Sequence, residues 1–275
     1  MYVPTRVQPK RNTQLPRKLI DHVLFVNYVD ANVLQTFSEA SNCNESHKWK
    51  EATREELCSH RENETWEIVK QPINVKTIDV KWLYRIKSDG RFKARLVAKG
   101  FQQEYLENEN IYSPVAKTQT LKTMLSLTVV SKFHIHQMDV QTAFLNGLIT
   151  TDVYIKPPEG FEIEKGYVCK LKKALYGLRE SPRDWYECSN EFLVNSLKFK
   201  RSPYDPCLYI KTTDSKILYL LLYVDDLLLF STDLAEIAKT KNALSNKFRM
   251  SDLGPVQKYL GITIENDLNN NKIDY

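Results

Sequence analysis

Residues 220–230, LLLYVDDLLLF, place two adjacent carboxylates, Asp225 and Asp226, inside an otherwise apolar run. Two unpaired charges entering a core are costly. The pair must therefore be exposed or neutralised. The flanking segments, ILYLLLYV and LLLFST, read as two β-strands hinged at the acids. Neighbouring side chains of an extended strand point to opposite faces. Asp225 and Asp226 can act together only where the chain turns tightly between the strands.

Working outward, the next carboxylate in apolar company is Asp139, in MDVQTAFLNG (138–147), on a strand expected over FHIHQMDVQTAF. A helix follows at SPRDWYECSNEFLVNSLKF. Ser181 is expected as its N-cap, Pro182 at its first helical position and Asp184 closing a capping box. Trp185, Cys188, Phe192 and Leu197 would form its buried stripe. Leu234, Ile237, Leu244 and Phe248 mark another amphipathic helix, and QKYLGITIE a final strand or hairpin. From about residue 133 the order is β, α, β-β, α, β, the split βαβ, ferredoxin-like plan of an α+β fold. Asp139 and Asp225 would then converge at a sheet edge. Clustered carboxylates repel unless protonated or bound to metal. Hard cations, chiefly Mg²⁺, answer that need, and a pair of them is suited to phosphoryl transfer. Spacing alone leaves a plainer reading open, a polar hairpin tip and a surface aspartate.

Upstream, KWLYRIKSDGRFKARLVAKGF (81–101) alternates as a β-hairpin about Ser88-Asp89-Gly90. A two-residue turn at Asp89-Gly90 would scatter its charges. A three-residue loop, with Gly90 left-handed, pairs Lys87 with Arg91 and segregates the faces. One face is then apolar, with Trp82, Tyr84, Ile86, Phe92, Ala94, Leu96 and Ala98. The other is a cationic plate, and the three-residue loop is the expectation. Helices are expected from Ser46, with Trp49, Thr53 and Leu57 on one side, and over 119–131. KPPEGF (156–161) reads as a turn.

The bulk properties fit a chain with a sizeable core. It has 275 residues, 42% hydrophobic, with formal charge +5. Arg6, Lys10, Arg11, Arg17 and Lys18 precede the first acid, Asp21, and cations crowd residues 76–100. Such fields suit a polyanion. The five scattered cysteines include no CxxC pair, which speaks against a zinc ribbon and for reduced thiols inside the cell. Ile217–Val224, the longest apolar run, is too short to span a membrane, and no signal peptide is read at the N-terminus.

YVDD (223–226), MDVQTAFLNG and LYGLRESPRDWY (175–186) resemble reverse transcriptases of copia-type LTR retrotransposon Pol polyproteins. So do WKEATREEL, NETWEIV, FKARLVAKGFQQ, YSPVAK, VCKLKKALYGL and SDLGPVQKYLGI, from about Trp49 to Ile264. The resemblance implies a right-hand polymerase fold with an incomplete or absent thumb. It divides the chain into a basic linker (1–45), fingers (46–112), palm with motif A (113–147), a fingers insertion (148–180), palm with the YVDD hairpin and primer grip (181–265) and a truncated tail (266–275).

The implied activity is RNA-directed DNA polymerisation, a nucleotidyl transfer of dNTPs onto a primer 3′-hydroxyl over an RNA or DNA template. Asp139, Asp225 and Asp226 would hold two Mg²⁺ ions, with Mn²⁺ as a substitute. Lys93 and Arg95 would clamp the triphosphate, or simply contact the template backbone; a slip of one or two positions keeps Lys87 and Arg91 as alternatives. The backbone of Val140 and Gln141 would lie beneath the phosphates. Phe144 would be the steric gate under the sugar C2′, or read without the family, a core aromatic. Tyr176 and Gly177 would meet the nascent base pair, or form an ordinary turn. Leu260 and Gly261 would form the primer grip, or a core strand with a bulge. The remainder of Pol, integrase and RNase H, would be the partner, with cytoplasmic virus-like particles as the setting. GFQQEYLENENIYSPVAK lacks the glycine and Asp-Tyr usual in the family after GFxQ. A non-catalytic nucleic-acid-binding remnant is the rival expectation.

Overall fold

The computed structural model describes residues 34, 36–87, 89–103, 111–213, 216–267 and 272–274. In chain order the elements are α1 (Phe37–Asn42), α2 (Ser46–Glu62), β1 (Trp66–Lys70), β2 (Val80–Ile86), β3 (Phe92–Ala98), α3 (Thr118–Ser131), β4 (His134–Val140), β5 (Tyr154–Ile155), β6 (Tyr167–Leu171) and α4 (Ser181–Glu191). They continue with β7 (Lys200–Arg201), β8 (Leu208–Thr213), β9 (Lys216–Tyr223), β10 (Asp226–Ser231), α5 (Leu234–Lys247), β11 (Met250–Pro255), β12 (Lys258–Tyr259), β13 (Ile262–Thr263), β14 (Glu265–Asp267) and β15 (Lys272–Asp274). Single 3₁₀ turns lie at Gly100–Gln102 and Ala143–Asn146.

The apolar runs either side of the acids are apolar throughout because both faces are covered. Leu227 and Leu229 join Met138, Val140, Trp185, Leu193 and Phe248 on one face. Leu228 and Phe230 join Leu121, Leu125, Ile135, Leu221 and Tyr259 on the other. A buried leucine contributes about 2 kcal/mol, so this doubly covered sheet anchors the fold. Its order is β11-β4-β10-β9-β8-β7. The first four strands, all antiparallel, with α4 and α5 between them in sequence, make the split βαβ arrangement expected. β7 and β8 extend it beyond the expectation.

The β2–β3 hairpin has the three-residue loop. Ile86 pairs with Phe92, the Lys87 amide donates to Arg91 (2.8 Å) and Gly90 has φ 82°. Trp82, Tyr84, Ala94 and Leu96 pack against Trp49 and Ala52 of α2. The α2 stripe runs through Glu56 and His60, both buried, with Leu57 at its margin. Glu56 accepts from the Leu96 amide (3.3 Å) and lies 3.9 Å from Lys93 Nζ. It thus satisfies the free edge of β3 and anchors the cationic face to the helix.

Several expectations are corrected. Residues 1–33 of the expected linker lie outside the described residues, but Phe37–Asn42 within it is helical, with a Thr36–Glu39 capping box. Ser181 is the first residue of α4, not its cap. Its hydroxyl donates to the Leu175 carbonyl (2.6 Å), and Asp184 binds Arg183 instead of closing a box. The expected tail is partly a β14–β15 hairpin. β1, β5 and β6 form a sheet ordered β1-β6-β5, which ties residues 66–70 to 154–171.

That second region meets β3 through two glycines. A Cβ on Gly177 would overlap the Ala98 carbonyl, and one on Gly100 the Gly177 carbonyl. Gly177 also has φ 91°, strained for any side chain. Gly177→Ala should cost about 2–4 kcal/mol, above the usual range for point changes because strain and overlap add. Urea denaturation checks this, and a change under 1 kcal/mol would show the contact to be loose.

Candidate active site

The acids meet because of register. In the β4–β10 ladder Asp139 lies opposite Asp226, so both project from one face at the end of the sheet. Tyr223 pairs with Asp226, leaving Val224-Asp225 as a two-residue turn. Val224 has φ 53° and Asp225 is not among the residues with positive φ, the pattern of a type II′ turn. Glycine is the usual occupant of that first position. A β-branched residue there stores on the order of 1–3 kcal/mol. Two donors hold the turn: Val140 N–H to the Asp225 carbonyl (2.7 Å) and Trp185 Nε1–H to the Val224 carbonyl (2.8 Å).

Asp225 is half-buried, but its Oδ1 is enclosed without a hydrogen-bond partner. Burial, then Asp139 and Asp226, push its carboxyl up to about 7, against the pull of Arg95. Burial also raises Asp139, while Lys87, Arg95 and Lys93 oppose that shift. Asp226 accepts from Gln137 Nε2 (3.2 Å).

Three cations of the hairpin plate therefore face the acids: Lys87, Lys93 and Arg95. Arg91, the fourth candidate, turns away to Asp89 (2.6 Å). The Arg95 guanidinium lies 5.1 Å from the Tyr176 ring centre, and Tyr176 lies 4.7 Å from Phe144 at 54° between planes. Burial and then Asp225 raise the Tyr176 hydroxyl well above its ordinary value. Asp139, Asp225, Arg95, Tyr176 and Phe144 thus form one neighbourhood drawn from four stretches of chain.

Other candidates sit differently from expectation. The Val140 amide is taken by Asp225 and the Gln141 amide by the Arg249 carbonyl (2.8 Å). Both N–H groups are engaged within the chain, where they fasten the turn and β11. The close approach at Gly177 is to Ala98. Phe144 is 8% exposed and part of the core. Leu260 and Gly261, φ 49° and 80°, are the tip of the two-residue β12–β13 hairpin, not a strand bulge. Two contributors escaped the sequence. Glu56 carried a signal, an acid in the buried stripe of a helix. Trp185 was read as packing, and nothing in its spacing reveals its N–H partner.

Among the described residues no group of three or more His, Cys, Asp and Glu side chains is gathered closely enough to hold a metal as it stands. The donor chemistry nevertheless fits a hard cation. A buried, unpartnered carboxylate oxygen beside a second carboxylate is a site that a divalent ion would satisfy.

Residues 63–275 match the family model described as reverse transcriptase (RNA-dependent DNA polymerase). The Pol polyprotein of transposon TNT 1-94 from Nicotiana tabacum is 37% identical over 97% of this chain and 21% of that protein. That of transposon RE1 from Arabidopsis thaliana is 38% identical over 78% of this chain and 15% of that protein. The chain thus spans about a fifth or less of these relatives. A solved foamy viral protease–reverse transcriptase in complex with double-stranded DNA aligns with TM-score 0.38 and 15% identity, over 77% of this chain and 31% of that one. On the family match and these relatives, the chain belongs to the reverse transcriptase (RNA-dependent DNA polymerase) family, as the reverse transcriptase domain of a retrotransposon Pol polyprotein.

Proposed function

We propose that this chain is the fingers-and-palm core of a copia-type RNA-directed DNA polymerase that extends a primer 3′-hydroxyl with dNTPs. The observation that carries this reading is the register that sets Asp139 opposite Asp226, one residue from the enclosed Asp225. Residues 46–112 and 148–180 would be fingers, and 113–147 and 181–265 palm. Shared strands support that grouping, because β1 pairs with β6 and β4 with β10.

Asp139 and Asp225 would hold two Mg²⁺ ions, with Asp226 adding charge at the rim; bound there, they supply Lewis acidity toward the primer hydroxyl and the phosphates. Arg95, with Lys87 and Lys93 beside it, would bind the triphosphate and stabilise charge developing on it. Phe144, backed by Tyr176, would floor the sugar pocket. The β12–β13 tip at Leu260-Gly261 would press on the primer strand. The cationic face of the hairpin would follow the template backbone. Template, primer and dNTPs are the ligands of this reading, with the rest of Pol as covalent context. Among the described residues no helix is long and apolar enough to cross a membrane.

Primer extension by this chain on a homopolymer RNA template tests the reading. Mg²⁺-dependent dNTP incorporation is expected. Template binding that weakens with salt but never yields incorporation would replace the polymerase by a nucleic-acid-binding remnant.

A further inference from the structure

Type I′ and II′ turns differ by a flip of the central peptide. In the Tyr223–Asp226 turn that peptide carries the Val224 carbonyl. Its orientation decides where Asp225 points. The backbone of Val224, at φ 53°, does not favour it, since glycine is the residue suited to the first position of a II′ turn. The Trp185 indole N–H reaches that carbonyl at 2.8 Å. Trp185 itself is fixed. It is 2% exposed and meets Phe248 edge-on, ring centres 5.2 Å apart at 79°. α4 approaches closely because Gly147 lacks a side chain; a Cβ there would lie 2.9 Å from the Trp185 backbone nitrogen.

We propose that Trp185 is a positioning residue: its indole N–H selects the strained orientation of the Val224–Asp225 peptide and so aims the Asp225 carboxylate beside Asp139. Any buried indole N–H needs an acceptor, so what matters is the one it takes, the Val224 carbonyl of the strained turn; the edge contact with Phe248 would survive in phenylalanine. The donor is the part that phenylalanine lacks. The aspartate's role in catalysis rests on the function proposed above; the clamping of the turn does not.

Trp185→Phe in the full chain, free of metal, tests the clamp directly. Hydrogen exchange across 223–226 should rise about tenfold, with exchange in α5 unchanged. Mn²⁺ titration followed by electron paramagnetic resonance should show affinity reduced about tenfold. In primer extension kcat should fall by a similar factor, with KM for dNTP within twofold. Val224→Gly supplies the rescue. Against a Val224→Gly background, which holds the turn without help, Trp185→Phe should lower Mn²⁺ affinity less than threefold. Unchanged exchange in Trp185→Phe overturns the proposal. So does a loss of Mn²⁺ affinity that Val224→Gly leaves undiminished, because simple loss of packing would be additive. If Trp185→Phe does not fold alone, the double variant carries the exchange measurement, and exchange still tenfold above Val224→Gly overturns the clamp. If the clamp is measured and the wild type incorporates no nucleotide, the polymerase reading fails and the clamp stands.

Discussion

Asp225→Asn is expected to abolish Mg²⁺-dependent primer extension while making the metal-free protein more stable. The two effects share one cause. The enclosed Oδ1 of Asp225 has no hydrogen-bond partner, and Asp139 and Asp226 add repulsion to the cost of burial. In function that unmet charge attracts a cation; without one it is a liability. The loss of rate should be about 10³-fold or more, beyond the roughly 10²–10³ of a single donor to a developing charge.

The stability effect has a definite sign. The folded carboxyl titrates near 7, against 3.8 for an unperturbed aspartate. Between those values the folded state holds the proton that the unfolded state has lost, so stability falls as pH rises. The penalty is absent below about pH 4, grows through the interval and is complete above about 7. Asparagine does not titrate and escapes it. Each tenfold in acidity is worth about 1.4 kcal/mol. Partial exposure of the residue screens the full value, leaving a gain on the order of 2 kcal/mol at pH 8 and little at pH 4. Urea denaturation at both values, with and without Mg²⁺, measures it. Mg²⁺ should stabilise the wild type at pH 8 and leave the variant unchanged. A variant less stable than wild type at pH 8 without metal would mean that Asp225 is satisfied by the protein alone, and the case for a cation there would be lost.

What the sequence revealed follows the reach of each physical signal. Alternating apolar residues fixed the β2–β3 register, because a slip buries a row of cations; Lys87 and Arg91 could close the loop in one sensible way. The order of elements around Asp139 and Asp225 was legible for the same reason. Two-residue strands such as Tyr154–Ile155 have no period to read. The Ser181 cap failed because the helix starts at Ser181 itself, with Glu180 in the cap position, and the Ser181 hydroxyl donates to the Leu175 carbonyl. At the site, the acids were visible as charges in apolar company. The Arg95–Tyr176–Phe144 stack was visible as three separate candidates, but their contact was not. The Trp185 donor and the occupied amides of Val140 and Gln141 depend on which groups are spent locally, and no spacing records that.

Phe144 is where the two kinds of reading compete most directly. Its ring is nearly enclosed, in the same cluster as Met138 and Trp185, which is what a core aromatic looks like. It also lies five residues beyond Asp139 and against Tyr176, which is where a sugar pocket would need a floor. Phe144→Ala separates the roles. Deleting a buried ring costs about 3–5 kcal/mol through lost transfer energy and the cavity left behind, and that loss is expected on either account. The gate adds a second effect that packing cannot produce. Space opened under the sugar should raise kcat/KM for rNTP relative to dNTP by about 10–200-fold, the range over which a pocket discriminates by one small group. Phe144→Val, which leaves a smaller cavity, should keep more stability and show an intermediate ratio. Competition between labelled rCTP and dCTP in single-nucleotide extension reads the ratio whatever the overall rate. A large fall in stability with the ratio unchanged would make Phe144 a core residue, and the sugar pocket would have to be sought on the Tyr176 side of the stack.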